Sequence, residues 1–486
     1  MIPDGGRLLK LRPFSGLLLL ALALIPFLIL AADVVRYHVD VPFWDQWNFV
    51  PLLGKSYEEG VTFKDLWGQH NEHRLLFPRL IMLGLAHASR YNIAWELAVI
   101  LLMAAASLAL VWRQLVKTAG ASGYSGLPWA VPAASLLIFT LGQAENWLWG
   151  WQIQIFLNVL AVIAGLCLLG GPSFQWRKFW CAVGLGILAT YSFANGLIFW
   201  PLGFIALLLS PPREKRSSVL ALAAWAASSA FIILSYFYRF RYDSPSGTPL
   251  THFLARPGEY ILYLLKYLGR PVINSEGYAL AVGFIGLVLF GAFSFLVLRD
   301  RSRKGRAFLP FILFGLYSIG CGLLTGVGRV GFGSAQAMSG RYVPFSALIW
   351  VSDFAFLCVL SREVRVRARS RPAKVIGLAG IGVLSFVLVF GIARTSYRVG
   401  HRVFKSYHSR MSEARAELLQ GEDEKRLLNL YIDADYVRRG TDVLRKHRLS
   451  VFREKTESLY SRTNMLCWAQ MSFSSLGQTE TVTSPR

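Results

Sequence analysis

Acid is scarce in this chain. Of its 486 residues, 28 are Asp or Glu and 51 are Lys or Arg, for a formal net charge of +23. In a soluble protein that excess would raise nucleic-acid binding, but no base-stacking or base-reading module accompanies it. Cysteine is scarce too. Cys167, Cys181, Cys321, Cys358 and Cys467 show no paired spacing and no C-x-x-C. Four of them fall in apolar runs, which argues against a disulfide framework or a structural zinc site. There is no G-K-[ST], so a P-loop is excluded. No G-x-S-x-G elbow or dinucleotide fingerprint sits between a strand and a helix, which leaves a nucleotide-sugar donor without a home. Charge also looks absent from the middle of the apolar runs, stopping at their ends. A transporter or flippase would instead place ionisable groups at the membrane midplane.

What is present is apolar. The chain is 54% hydrophobic, with a mean hydropathy of +0.43, which suits an all-α polytopic membrane protein. A spanning helix takes roughly 20 apolar residues. The first run, 14–32, follows Arg7, Lys10 and Arg12; no small-residue cleavage site precedes Asp33, so an uncleaved first span is expected. Basic clusters at Arg7–Arg12, Arg113–Lys117, Arg177–Lys178, Arg213–Arg216, Arg299–Arg306 and Arg362–Lys374 go to the cytoplasmic side under the positive-inside rule. About eleven spans satisfy this: 14–32, 92–112, 128–143, 152–170, 179–193, 197–210, 217–236, 279–298, 307–327, 342–361 and 374–393. That topology puts the N-terminus inside and the tail outside.

The parity rests on two expectations. Leu75–Tyr91 lies on the outer interface as an amphipathic helix. Phe179–Ser210 crosses twice, broken at Ser192–Gly196, in place of one long tilted helix. The transmembrane domain then covers 1–393. A helical extracytoplasmic tail covers 394–462, with apolar residues at helical spacing through 411–431 and 436–452. The Ser/Thr-rich 463–486 is expected to be disordered.

With this parity the unusual polar residues collect in five outer loops. Asp45 in F-W-D-Q-W is placed to act as a general base on an acceptor hydroxyl; Asp40 is a second candidate. His70, Glu72, His73 and Arg74 form the densest polar run. His and Arg there suit a phosphate, a pair of His three apart could share a helical face and hold a metal, and a plain helix start is the bland alternative. Glu145 and Asn146 stand among three tryptophans, a setting for a sugar or for an interfacial aromatic belt. Asn195 sits at the proposed break, where freed backbone groups line cavities. Tyr238, Arg239, Arg241 and Asp243 open the loop after the seventh span and Glu276 closes it. Arg329 and Arg341 bracket a Gly-rich loop and could hold a lipid phosphate in the forked manner of guanidinium.

In plan the chain resembles the polytopic glycosyltransferases of the C-type membrane fold (GT-C-like), such as protein mannosyltransferases and lipid A aminoarabinose transferases. They share a first span, a long outer loop with an acidic residue, then many spans with short inner loops. W-D-Q-W and H-N-E-H-R-x-x-F-P-R also resemble a group of largely uncharacterised bacterial membrane proteins. The resemblance covers the chain to about Ala393 and puts the family's acidic residue at Asp45, or at Asp40. It implies transfer of a sugar from a polyprenyl-phosphate donor to a glycan or lipid acceptor of the cell envelope, at the outer face of the cytoplasmic (inner) membrane. The expected partners are that donor, membrane lipid and the acceptor, with no nucleic acid. The adjacent D-D or D-E pair of the fold is absent, so a divalent metal is allowed but not required; arginine alone can neutralise a phosphate leaving group. The rival readings are a polysaccharide polymerase or ligase using a lipid-diphosphate glycan, which would favour 237–278 as the catalytic loop, a transporter or flippase of a lipid-linked glycan, and a non-enzymatic envelope scaffold.

Overall fold

Lipid offers no partner to backbone N–H and C=O groups, so an apolar run in a membrane satisfies them internally, as a helix. The computed structural model describes residues 13–171, 173–212, 214–241, 253–300, 302–420 and 424–453. Among these, nine helical stretches are long and apolar enough to cross a membrane: Ser15–Tyr37, Ile93–Ser122, Leu127–Leu148, Gly150–Leu169, Lys215–Phe237, Glu276–Arg299, Leu309–Phe332, Gly340–Arg367 and Arg371–Leu419. The protein is an all-helical, multi-pass membrane protein. Gly340–Arg367, Leu127–Leu148 and Gly150–Leu169 are largely enclosed, whereas Lys215–Phe237 and Arg371–Leu419 keep most of their surface outward. Phe231, Leu234, Phe284 and Phe386 on the outer helices are exposed, an apolar surface for hydrocarbon to cover.

The segment after Gly171 doubles back. It forms helix Trp176–Thr190, a 3-10 stretch Ala194–Ile198 and helix Phe199–Leu209. Ser210 Oγ donates to the Gly171 carbonyl at 3.4 Å, so the two ends of the segment meet. A single tilted helix could not do this. Gly196 permits the reversal: a Cβ there would lie 2.3 Å from the Ala189 backbone. Trp200 Nε1 donates to Thr190 Oγ1 at 2.9 Å, tying one arm to the other. The arms are 15 and 11 residues long, short against the roughly 20 of an ordinary span.

Helix ends sort into two layers. In one, Thr118 Oγ1 donates to the Ala307 carbonyl at 2.8 Å and Tyr124 OH to Glu363 at 2.6 Å, with Arg362 over the Tyr124 ring. That layer carries the described parts of the basic clusters: Lys117 beside Thr118, with Arg113 and Lys178 near it, Arg306 beside Ala307 and Arg362 beside Glu363. The other layer gathers the loops rich in acid, His and Trp. Helix Leu76–Ser89 has both ends there: Phe77 N donates to the Tyr191 carbonyl, and the Arg90 carbonyl accepts from Ser450 N. It therefore lies along that layer.

No break marks residue 393. Helix Arg371–Thr395 continues through a π turn, Ser396–Gly400, into helix His401–Gln420. A single turn, Glu424–Leu427, and helix Ala434–Lys446 follow. These cover the first loop: Tyr407 OH donates to the Leu148 carbonyl at 2.9 Å, and Gly440 sits against Trp47. Residues 463–486 and Asp243 lie outside the described residues.

One expectation fails inside the bundle. Asp353 lies midway along helix Val343–Arg367, fully buried. Both its carboxylate oxygens lack a partner among the described residues. Charge therefore does not stop at the span ends. Neighbouring helices enclose this one on all sides, so the acid faces protein and is hidden from hydrocarbon.

Candidate functional site

The turn carrying Asp45 is held rigidly. Trp44 has φ +48°, a left-handed conformation that is costly for a bulky residue. Four hydrogen bonds hold it. Trp44 N donates to the Leu430 carbonyl at 2.7 Å, and Phe43 N to Gln46 Oε1 at 3.1 Å. The Phe43 carbonyl accepts from Trp149 Nε1 at 2.8 Å. Gln46 Nε2 donates to the buried Glu96 carboxylate at 2.6 Å. Helix Gln46–Glu58 starts after Asp45, whose side chain makes no capping bond. Its carboxylate is thus left for other use.

The His70–Arg74 run is a hairpin, so neither the bland alternative of a helix start nor a helical face shared by the two histidines applies. Gln69–His70 pairs antiparallel with His73–Arg74, placing His70 opposite His73. Asn71 takes the left-handed turn position at φ +46°, which Asn tolerates better than most residues. The hairpin is sewn to the end of helix Lys215–Phe237. Gln69 brackets Arg241, donating to its carbonyl at 2.6 Å and accepting from its N–H at 3.0 Å. Tyr236 OH donates to the Glu72 carbonyl at 2.7 Å. Buried Arg74 donates to the carbonyls of Tyr236 at 2.5 Å, Trp67 at 3.1 Å and Tyr238.

These pieces surround a cavity of about 340 Å³. Asp45, His70, Glu72 and His73 line one side, and Arg329 and Arg341 another. His70 Nε2 lies 3.6 Å from Asp45 Oδ1, with its ring edge-on to Trp151. Arg329 pairs with Glu72 at 3.1 Å, and Arg341 with Glu145 at 3.5 Å while lying over the Trp149 ring. His73 stacks on Phe193 and accepts at Nδ1 from Ala194 N at 3.3 Å. Burial, then the nearby His70 and Arg329 charges, lower its pKa to about 3. The ring is neutral, and with Nδ1 accepting, its proton sits on Nε2. His73 is thus a hydrogen-bond donor without charge.

Polar groups without partners lie deeper. Gln152, Gln154 and Asn195 all line the cavity and are all nearly inaccessible. Gln152 Oε1, Gln154 Oε1 and Asn195 Nδ2 have no oxygen or nitrogen partner among the described residues, although the Cys321 thiol lies beside Asn195. A buried amide atom left unsatisfied costs about 1–3 kcal/mol. Three around one cavity imply a polar occupant. Trp149, Trp151, Tyr236, Phe237 and Tyr342 add aromatic surface.

The structure therefore brings together Asp45, His70, Glu72, His73, Asn195, Arg329 and Arg341. Three other candidates serve as struts. Asp40 is outside the cavity; it pairs with Arg453 and accepts from Ile93 N at 2.9 Å, starting helix Ile93–Ser122. Arg74 is spent on carbonyls and does not reach a ligand. Asn146 is buried and donates to Gln143 at 3.0 Å and to the Gly340 carbonyl at 3.2 Å. Glu145 touches the site only through Arg341. Gln152 and Gln154 escape sequence reading because W-Q-I-Q stands at the start of a mostly apolar helix, Ile153–Leu169. Two glutamines so close to a span's start were the available signal. No group of three His, Cys, Asp or Glu among the described residues could hold a metal ion.

No protein-family model matches the chain, and no curated protein matches it. Two solved structures of ArnT from Cupriavidus metallidurans are similar to it, each at 12% identity. The one bound to undecaprenyl phosphate has a TM-score of 0.42 over 90% of this chain and 90% of its own. The apo form has a TM-score of 0.38 over 90% and 89%.

Proposed function

We propose that the protein is a membrane glycosyltransferase that moves a sugar from a polyprenyl-phosphate donor to a cell-envelope acceptor. One observation carries this reading: a single cavity at one end of the bundle holds a carboxylate beside a histidine, two arginines and three buried amide atoms without an oxygen or nitrogen partner among the described residues, all set among aromatic rings. Asp45 takes the proton of the acceptor hydroxyl as its oxygen attacks the anomeric carbon. The bond from that carbon to the phosphate oxygen breaks, and the electron pair leaves with the phosphate. Arg329, Arg341 and the neutral N–H of His73 receive the growing charge, in a site where fixed donors need not reorganise. Gln152, Gln154 and Asn195 hydrogen-bond the sugar hydroxyls, and Trp149 and Trp151 cover its apolar face. His70 orients Asp45. The basic layer faces the cytoplasm under the positive-inside rule, so the cavity opens to the outer face of the inner membrane. The two arms Trp176–Thr190 and Phe199–Leu209 count as two crossings.

Reconstituted protein given a polyprenyl-phosphate sugar and envelope extract should release polyprenyl phosphate. Asp45→Asn should lower that rate by about 10²–10⁴, the range for a general base, with donor retention on the protein unchanged. An Asp45→Asn rate equal to wild type removes Asp45 from the chemistry. Asp353 favours the second reading, transport. Transport would move the sugar-lipid across the bilayer with no polyprenyl phosphate released, so the same reconstitution separates the two.

A further inference from the structure

The last span ends in a feature that sugar transfer does not use. Phe386 and Phe390 stack at 6.0 Å on helix Arg371–Thr395, and both are exposed. Arg394 follows four residues later, then Arg398 in the π turn and Arg402 in the next helix. All three arginines are exposed and line one recess of about 590 Å³, with Asn274, Ser275 and Tyr278 on the opposite wall. None of the three pairs with a carboxylate among the described residues. The recess is separate from the cavity above: the two share no lining residue.

This column passes from aromatic rings that face hydrocarbon to a ladder of guanidinium groups within a few turns. Three unpaired arginines together on the outer side run against the charge rule, so they call for a separate reason. Guanidinium binds phosphate oxygens through forked, charge-assisted hydrogen bonds. Asn274, Ser275 and Tyr278 supply neutral donors facing them. A ligand with a phosphate above and an acyl chain below matches both halves. We propose that this recess binds the headgroup of an anionic membrane phospholipid, with its chain along Phe386 and Phe390. The recess wall is continuous with the site's framework: Thr395 Oγ1 donates to the Val272 carbonyl at 3.0 Å, and Ser396 Oγ accepts from Leu141 N at 2.8 Å.

The test uses full-length protein in vesicles of phosphatidylcholine and phosphatidylglycerol, extracted and weighed with its bound lipids by native mass spectrometry. Wild type should retain phosphatidylglycerol over phosphatidylcholine. Arg394→Gln/Arg398→Gln/Arg402→Gln should retain about tenfold less, given the charge-assisted contacts to the headgroup phosphate that the recess loses. A control of equal charge at the other end, Arg365→Gln/Arg369→Gln/Arg371→Gln, should retain it like wild type. Retention by the ladder variant equal to wild type overturns the site, and so does equal loss in the control. Should the triple variant not purify as a folded monodisperse species, Arg398→Gln alone decides, with Arg398→Lys expected between it and wild type. Lipid retention is read without sugar transfer, so failure here leaves the glycosyltransferase reading untouched.

Discussion

His73 shows how one residue's surroundings choose its chemistry. Enclosed against Phe193 and beside Arg329, it cannot take a second proton near neutrality. The sign of the consequence follows from linkage. The unfolded chain binds a proton at about the ordinary 6.5, and the folded chain only at about 3. The stability contributed by neutral His73 is complete above pH 6.5 and is lost as pH falls through the window down to 3, by at most about 1.4 kcal/mol per pH unit. In thermal melts of detergent-solubilised protein, wild type should lose more stability between pH 6.5 and 4.5 than His73→Gln, and the two should run parallel above 6.5. Parallel curves throughout would mean the ring titrates normally. None of this is legible in H-N-E-H-R, where His70 and His73 look equivalent. Arg74 and Arg329 look equivalent as well. Only the distant carbonyls of Tyr236 and Tyr238 make one a strut, while the other lines the cavity.

At the scale of elements, the hairpin Gln69–Arg74 is too short to stand alone; two residues a side do not make an independently stable sheet. Its stability comes from a partner more than 160 residues away. That is why nothing in a run whose neighbours are all helical announces a strand pair. The reversal at Ser192–Gly196 is different. Its Gly and Asn break an apolar run locally, and the structure places the break there. Arg74 tests the dependence of the hairpin on its anchor. Arg74→Met strands three carbonyls, each worth about 1–3 kcal/mol if left buried and unpaired. Amide exchange should speed up across 68–75 and 236–241 while the spanning helices keep their protection. Arg74→Lys should rescue little, since one ammonium cannot reach all three acceptors. Unchanged exchange in these two segments would show that the strap is dispensable.

On the scale of the molecule, parity does most of the work. Once the apolar runs and basic clusters are read, alternate loops must fall at opposite ends, and the loops bearing Asp45, His70, Asn195, Arg329 and Arg341 fall together without any contact being known. Sequence could not say which of them touch, because hydropathy separates lipid from water and is silent about which polar group faces which. Asp353 was hidden for a related reason: a single acid hardly lowers the apolar average of a long helix, and its shielding by neighbours is a tertiary fact. The sense of the whole arrangement rests on the basic layer facing the cytoplasm. In a cysteine-free background, Asp435→Cys on the tail should react with an impermeant maleimide on intact cells from which any outer barrier has been stripped. Arg369→Cys at the basic end should react only after the membrane is opened, with labelling differing by about tenfold or more if the segregation of charge follows the rule. Opposite labelling would turn the molecule over and put the cavity, with its arginines and amides, on the side where soluble nucleotide sugars are available. The donor would then have to be chosen again, although the residues that line the cavity would be the same.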